Sequence, residues 1–285
     1  MSTIYLNNNN FIKAEYGSKE IKKDITNIIQ KLINKNKVFS VNNKTFGRDP
    51  HPGKKKKLYV ETEKRNFEIS ENNMAYFYLE DNLITLDCIN ELDALSQYKK
   101  IRVFGKGPTF KNVAKTNQDQ LHICINQTAN MVDDCDILSM NDIHNIGKIN
   151  KDVIRKIKFI LIPEYLHVKC VFDPKGYWIN LHNSIKDDFK GKYILFNLFS
   201  NLNKNPSLFP MKIGTSSVNT ATHFICNNLK GIKKIEFYGA GIESKKNYHK
   251  IFTGNGNYTS NDRIKFVRKY IKRSCEEAKI SYQIN

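Results

Sequence analysis

The sequence predicts an α/β protein: a mainly parallel sheet with helices on both faces, preceded by a small β-rich domain. Three observations carry this. Across residues 81–285, apolar runs of strand length alternate with segments of helical period, as they do in βα units. Examples are IRVF at Ile101–Phe104, LHICI at Leu121–Ile125, YILF at Tyr193–Phe196 and IEFY at Ile235–Tyr238. Across residues 1–80 the apolar segments are shorter and divided by Asn, Gly and Lys clusters. The chain has 285 residues, 40% of them hydrophobic, enough for one large or two modest domains with real cores.

In the first domain, residues 1–80, the expected strands are Phe11–Tyr16, Val38–Val41, Leu58–Thr62 and Phe67–Ile69. Asp24–Ile33 is open: its spacing fits a helix, whereas Ile-Thr and Ile-Ile favour a strand. Phe46–Gly53, FGRDPHPG, packs two prolines and two glycines into an irregular loop. Lys54–Lys57 beside it either holds an anion or, as charge runs usually do, faces water.

In the second domain, residues 81–285, Ile137–Met140, Phe159–Ile162 and Ile280–Gln283 complete the set of strands. Helices are expected over Ile84–Gln97, Phe110–Asn117, Ile143–Ile157, Val218–Asn228 and Ser260–Ala278. The last is the clearest, with Ser260 as cap and an apolar stripe of Ile264, Phe266, Val267, Tyr270 and Ile271.

Charge and cysteine usage narrow the function. The net charge is +18, from 46 basic and 28 acidic residues, which raises nucleic-acid binding as one reading. Only seven of the basic residues are Arg, the residue preferred for bidentate phosphate contact. The Lys/Asn/Ile bias is that of an AT-rich coding genome, so direct nucleic-acid binding is disfavoured and kept as an alternative. The six cysteines include no Cys-x-x-Cys, so neither a zinc ribbon nor a thioredoxin-type pair is indicated, and several sit inside apolar runs as buried free thiols do, so a reducing compartment is expected. There is no signal-peptide pattern and no 18-residue apolar run, so a cytoplasmic protein without a membrane span is expected.

Ligands of a parallel sheet bind outside the carboxyl ends of its strands. Strand Ile101–Phe104 runs into Gly105-Lys106-Gly107-Pro108-Thr109. The glycines permit a tight turn, Pro108 suits a first helical position and Thr109 can cap, so this reads as a helix N-terminus ready for phosphate or as an ordinary strand–helix turn. The other strand ends carry Asn126-Gln127, Asn141-Asp142, Pro163-Glu164, Asn197 and Gly239-Ala240-Gly241. Those amides either recognise a base, ribose or sugar or simply tolerate turns. Asp134-Cys135-Asp136 has the form of a metal and nucleotide-sugar motif, but it precedes a strand, and a solvated loop is preferred. His122 and Cys124 share a strand face without further ligands, so no metal site is expected. Trp178 with Tyr177 is either core or a sugar platform.

Two resemblances rest on these residues. Ala14-Glu15-Tyr16-Gly17, Asp24-Ile25-Thr26, Phe46-Gly47-Arg48-Asp49-Pro50, Gly53 and Lys57-Leu58 resemble a small domain of unknown function. That domain occurs in giant-virus proteins and in a DnaJ-like mitochondrial protein, and it implies no known chemistry. With the composition it points to a giant virus or an AT-rich protist, and for a virus to the host cytoplasm. Gly105-Lys106-Gly107-Pro108-Thr109, Asn126-Gln127, Thr215-Ser216-Ser217 and the strand Ile235–Gly241 are similar, in order and spacing, to the bacterial sialyltransferases of glycosyltransferase family 42 and to related flagellin-modifying and pterin-pyrophosphokinase-like proteins.

The second resemblance implies a Rossmann-like nucleotide-binding sheet, a cytidine monophosphate sugar as donor substrate, no separate cofactor, and metal-independent inverting transfer to a glycan or protein acceptor. It places Gly105, Gly107, Pro108 and Thr109 against the nucleotide and Asn126 and Gln127 near the donor. It puts Thr215, Ser216 and Ser217 at the phosphate or sugar carboxylate, Gly239 at the rim, and Tyr248 at the leaving phosphate. Lys106 stands where the family has Asn and would neutralise phosphate as a point charge. The family's Asp after the strand is replaced in Gly239-Ala240-Gly241, and its His is missing from residues 254–259, GNGNYT. His249 is the nearest substitute for the base, or an exposed loop histidine. A catalytically degenerate binding module is therefore the second reading.

Overall fold

The computed structural model describes residues 3–7, 11–34, 39–63, 66–78, 83–84, 86–163, 178–197, 209–211, 216–240, 249, 252 and 261–285. The chain divides near residue 81: Met1–Asp81 lie in one compact unit, and Asn82–Phe199 with Leu208–Asn285 in another.

The first unit contains β1 (Thr3–Asn7), β2 (Phe11–Gly17), β3 (Lys22–Asp24), α1 (Thr26–Asn34), β4 (Phe39–Ser40), α2 (Asn43–Phe46), β5 (Lys57–Thr62), β6 (Asn66–Ser70) and β7 (Met74–Tyr78). Strands β3-β2-β5-β6 make an antiparallel sheet, and β1-β7-β4 make a second sheet in which β1 and β7 run parallel. The open segment Asp24–Ile33 is a helix from Thr26 onward, with Asp24 ending β3. Asp24 Oδ1 accepts the Thr26 amide at 2.8 Å, and Ile25, Ile29 and Ile33 recur four apart to bury one stripe. Burying that stripe in the core overrides the local β preference.

The Phe46–Gly53 loop is irregular as expected, with Gly47 and Gly53 at positive φ. Its lysine run is not uniformly solvated. Lys56 is 5% exposed, donates to the Lys54 carbonyl at 2.8 Å and pairs with Asp49 at 3.2 Å. Asp49 in turn accepts from Asn43, and the buried Tyr16 hydroxyl donates to Glu71 at 2.8 Å.

The second unit contains β8 (Leu83–Ile84), β9 (Lys100–Phe104), β10 (Gln120–Ile125), β11 (Ile137–Ser139), α3 (Lys151–Lys156), β12 (Phe159–Pro163), α4 (Trp178–Ile185), β13 (Lys192–Asn197), β14 (Phe209–Pro210), α5 (Ser217–Asn228), β15 (Lys234–Tyr238), α6 (Asn261–Glu277) and β16 (Ser281–Ile284). Among the described residues, nine strands form one sheet in the order β14-β13-β12-β11-β10-β9-β15-β16, with β8 also on β13, and every pair is parallel. Helices cover both faces. Ile101, Val103, Leu121, Ile123, Ile235 and Phe237 pack with Val218, Ala221 and Phe224 of α5 and Val267 and Ile271 of α6. On the other face His182 of α4 meets the Tyr193 ring of β13, ring centroids 5.5 Å apart.

Two expected helical features are absent. Residues 110–117 form coil, not a helix, although β9 and β10 still pair in parallel. The segment offers no apolar stripe; instead its backbone serves a charged side chain, because Arg102 Nη1 donates to the Ala114 carbonyl at 2.6 Å. Phe266 does not join the α6 stripe: it is 46% exposed, while Ile264, Val267, Ile271 and Cys275 are buried. The stretch expected to be a helix over Ile84–Gln97 is a 3-10 helix, Leu86–Leu95. Among the described residues no helix is long and apolar enough to cross a membrane.

Candidate functional site

From β9 the chain adds β10 to β14 on one side, then returns through α5 to place β15 on the other side of β9. The carboxyl ends of β9 and β15 therefore flank the point where the winding reverses, the position at which open parallel sheets hold ligands. The loop of residues 105–109 and the Gly239-Ala240 turn both lie there.

These two loops are bonded to each other. The Gly105 amide donates to the Tyr238 carbonyl at 2.8 Å, and the Gly107 amide to the Gly239 carbonyl at 2.6 Å. Thr109 Oγ1 accepts from the Gly239 amide at 3.2 Å and donates to the Asn285 carbonyl at 2.7 Å. The glycines are needed for this approach. A Cβ on Gly105 would sit 2.3 Å from the Gly239 oxygen, and one on Gly239, at φ +59, would sit 2.4 Å from the Gly105 oxygen. The expected helix N-terminus after Pro108 does not form, because residues 110–117 are coil, so Thr109 caps no helix. Pro108 is exposed at the outer turn.

Lys106 and His249 meet at this point. The His249 amide donates to the Lys106 carbonyl at 2.8 Å, and Lys106 Nζ donates to Gln127 Oε1 at 2.9 Å. Burial lowers the Lys106 ammonium pKa below its ordinary value, and the nearby Lys148 lowers it further. The His249 ring packs against Phe110 and Phe252, centroids 5.8 and 6.5 Å away. The structure thus brings Gly105, Lys106, Gly107, Thr109, Gln127, Gly239 and His249 into one neighbourhood. Thr215 and Tyr248 lie outside the described residues, as do Gly241, the 254–259 segment and Ser260.

A second group lies along the carboxyl edge at β10 and β11. Asn126, at φ +54, leaves β10 with its buried Oδ1 unpartnered. Ser139 ends β11, and its Oγ is buried without a partner. It shares strand parity with Ile137, which packs in the α5 core, so its hydroxyl points toward that helix. α5 starts opposite: Ser216 Oγ caps it by accepting from the Asn219 amide at 3.2 Å, and Ser217 Oγ accepts from the Asn141 amide at 3.3 Å. In its first turn Asn219 is 0% exposed, with both carboxamide atoms unpartnered, and no acidic residue offsets the helix dipole. The arrangement is neutral, rich in hydroxyls and amides, and suited to an anion or a polyhydroxylated ligand.

The sequence reading missed a third group on the opposite half of the sheet. Glu236, Arg102, His122 and Asp136 occupy matching positions across β15, β9, β10 and the entry to β11. Arg102 Nε donates to Glu236 at 3.2 Å, and Lys100 and Lys234 reach the same carboxylate at 2.7 and 2.9 Å. Burial works to raise the Glu236 pKa, but the hydrogen bonds from Lys100, Lys234 and Arg102 outweigh it and hold the carboxyl at about 2.

Asp136, expected in a solvated loop, is 3% exposed and accepts from Lys115 at 2.6 Å, Lys158 at 2.9 Å and the His122 amide at 2.9 Å. His122 is 1% exposed; burial first, then Lys115 and Arg102, push it down to about 4. Arg102 Nη1 donates to its Nε2 at 3.5 Å, which leaves the proton on Nδ1, and that atom has no partner. The available signal was one charged or imidazole residue inside each of three apolar strands. No protein-family model, no curated protein and no solved structure matches the chain.

Proposed function

We propose that residues 82–285 bind a nucleotide sugar, with a cytidine monophosphate sugar as donor, and transfer the sugar with inversion to a glycan or protein hydroxyl without a metal. One observation supports this above the others. Buried neutral polar groups without partners, Asn126 Oδ1, Ser139 Oγ and the Asn219 carboxamide, line the carboxyl edge beside the α5 N-terminus. Each such group costs roughly 1–3 kcal/mol when unpaired, which a ligand bonding to them would recover.

In this reading Gly105, Gly107, Pro108 and Thr109 lie against the nucleotide, with Asn126 and Gln127 beside the donor. Thr215, Ser216 and Ser217 serve the phosphate or sugar carboxylate, Gly239 shapes the rim, and Lys106 supplies a cation to the phosphate. The acceptor hydroxyl attacks the anomeric carbon, and the bond to phosphate breaks with its electron pair staying on the nucleotide. His249 takes the hydroxyl proton and Tyr248 steadies the leaving phosphate. A second reading, binding without transfer, is favoured by the packing of the His249 ring against Phe110 and Phe252.

The test is a thermal-shift series with CMP, CDP, UDP, GDP and their sugars, since a ligand of the folded state raises its melting temperature. A rise with cytidine nucleotides alone is expected, and no rise at millimolar concentration overturns the proposal. Donor hydrolysis that His249→Ala abolishes selects transfer over binding alone.

A further inference from the structure

α5 and α6 lie side by side on one sheet face, yet their compositions differ. α5, SVNTATHFICNN, holds no Lys, Arg, Asp or Glu. The 17 residues of α6, NDRIKFVRKYIKRSCEE, hold six cations, among them three of the seven arginines of the chain, Arg263, Arg268 and Arg273. A coding bias toward Lys would load both helices alike, so this concentration belongs to α6.

The cations are also ordered. Ile264, Val267, Ile271 and Cys275 face the core, while Lys265, Lys269 and Lys272 follow one another at i, i+4 and i+7, all exposed. At 1.5 Å per residue they make a row about 10 Å long. The acids stand only at the helix ends, Asp262 before the row and Glu276 and Glu277 after it. Lys272 reaches Glu276 at 3.9 Å and Arg273 reaches Glu277 at 2.7 Å, weak exposed i,i+4 pairs that a phosphate can displace. Lys265, Arg268 and Lys269 form no ion pair among the described residues. Phe266 stands beside this row at 46% exposure, and no other phenylalanine among the described residues is exposed. Lys269 follows it at i+3 and Arg273 at i+7, so the ring sits among cations.

We propose that the outer face of α6 binds single-stranded nucleic acid, its cations neutralising successive phosphates while Phe266 stacks on a base. Every base offers a face to the ring, so no sequence preference follows. A duplex presents the same phosphates but keeps its bases stacked on one another, out of reach of Phe266. An anionic membrane would also attract the cations, but one ring offers little apolar area for stable insertion, because the other apolar residues of α6 are committed to the core. A charge of +18 spread along a chain names no surface, and the scarcity of Arg argued against phosphate contact; α6 gathers both charge and Arg onto one element.

The experiment measures fluorescence anisotropy of a labelled oligodeoxythymidine of about 20 nucleotides with the full-length protein, the matching duplex and phosphatidylserine vesicles forming the other arms. The single strand is expected to bind more tightly than the duplex. The logarithm of its affinity should fall against the logarithm of salt concentration with a slope near −2, about 0.7 for each of three phosphates. Phe266→Ala should weaken binding about tenfold at an unchanged slope. Phe266→Trp should keep the affinity, with its added fluorescence quenched by the oligonucleotide. Lys269→Gln should take about 0.7 off the slope. Both positions are exposed, and a thermal melt checks that each variant folds; the wild-type arms decide by themselves where one does not. Four results each overturn the proposal: no binding at about 50 mM salt, a duplex bound as tightly as the single strand, a preference for vesicles, or binding that Phe266→Ala and Lys269→Gln both leave unchanged.

Discussion

The two ends of the parallel sheet treat buried polarity in opposite ways. Toward the amino end, Glu236, Arg102 and Asp136 each have ion-pair partners, with Lys100, Lys234, Lys115 and Lys158 closing the set. At the carboxyl end, beside the half-buried Lys106, the neutral groups of Asn126, Ser139 and Asn219 are left wanting partners. The difference follows from cost. A buried charge without a counterion is worth several kcal/mol of instability, whereas an unpaired amide or hydroxyl costs roughly 1–3 kcal/mol, which a marginally stable fold can carry where a ligand gains from it. The charged row is satisfied except at His122 Nδ1 and the neighbouring Asp119 Oδ1, whereas the groups left without partners at the carboxyl end are neutral amides and a hydroxyl.

The largest effect should come from breaking the charged row. Glu236→Ala leaves Arg102 buried without its carboxylate and is expected to cost about 3–5 kcal/mol, read from the urea midpoint. A loss below 1 kcal/mol would mean that the row is not the fold's electrostatic centre.

Acid should act on the same row. His122 stays near 4 in the fold against an ordinary 6.5, so the unfolded chain binds more protons between those values. Stability is then full above pH 6.5 and falls by about 3 kcal/mol as pH drops to 4. Glu236, depressed from 4.5 to about 2, adds a further loss between those pH values. His122→Gln should flatten the upper part of the denaturation profile and leave the lower part unchanged.

Next in size is the joint at the winding reversal. Gly239→Ala meets the Gly105 carbonyl and a positive φ together, and a loss of about 2–3 kcal/mol in a thermal or urea melt is expected. An unchanged midpoint would show that the two loops can part without penalty.

The smallest stability effect, and the sharpest contrast, belongs to the carboxyl end. Asn219→Leu removes two unpaired atoms from a buried site and should be neutral or stabilising by up to about 1 kcal/mol. The same variant should lose the melting-temperature rise with cytidine nucleotides. A destabilisation above 2 kcal/mol, or a retained ligand response, would remove Asn219 from the site.

Much of the frame was legible in the sequence for simple reasons. β9, β10, β12, β13 and β15 are apolar runs of the right length, and α5 announces itself through Ser216, whose hydroxyl does cap it. The rest was hidden because it depends on partners distant in sequence. Arg102 and Glu236 are 134 positions apart, and nothing near either one reveals that they share a sheet row. Asp136 looked like loop because its counterions, Lys115 and Lys158, come from two other segments. The 110–117 segment looked like a βα helix because topology usually supplies one; the backbone carbonyl that Arg102 requires stands there instead. At the site, the resemblance put Gly105 against a nucleotide and Gly239 at the rim, and their first use proves to be room for each other.

That mutual fit makes the two loops a single mechanical part. With two hydrogen bonds from backbone amides, a shared hydroxyl and no clearance for a methyl group, residues 105–109 cannot shift without carrying the Gly239 turn along. Whatever touches one loop is therefore felt at the ends of both β9 and β15. The exchange rates of the Gly107 and Gly239 amides with deuterated water would serve as one gauge of that joint, rising or falling in both places at once.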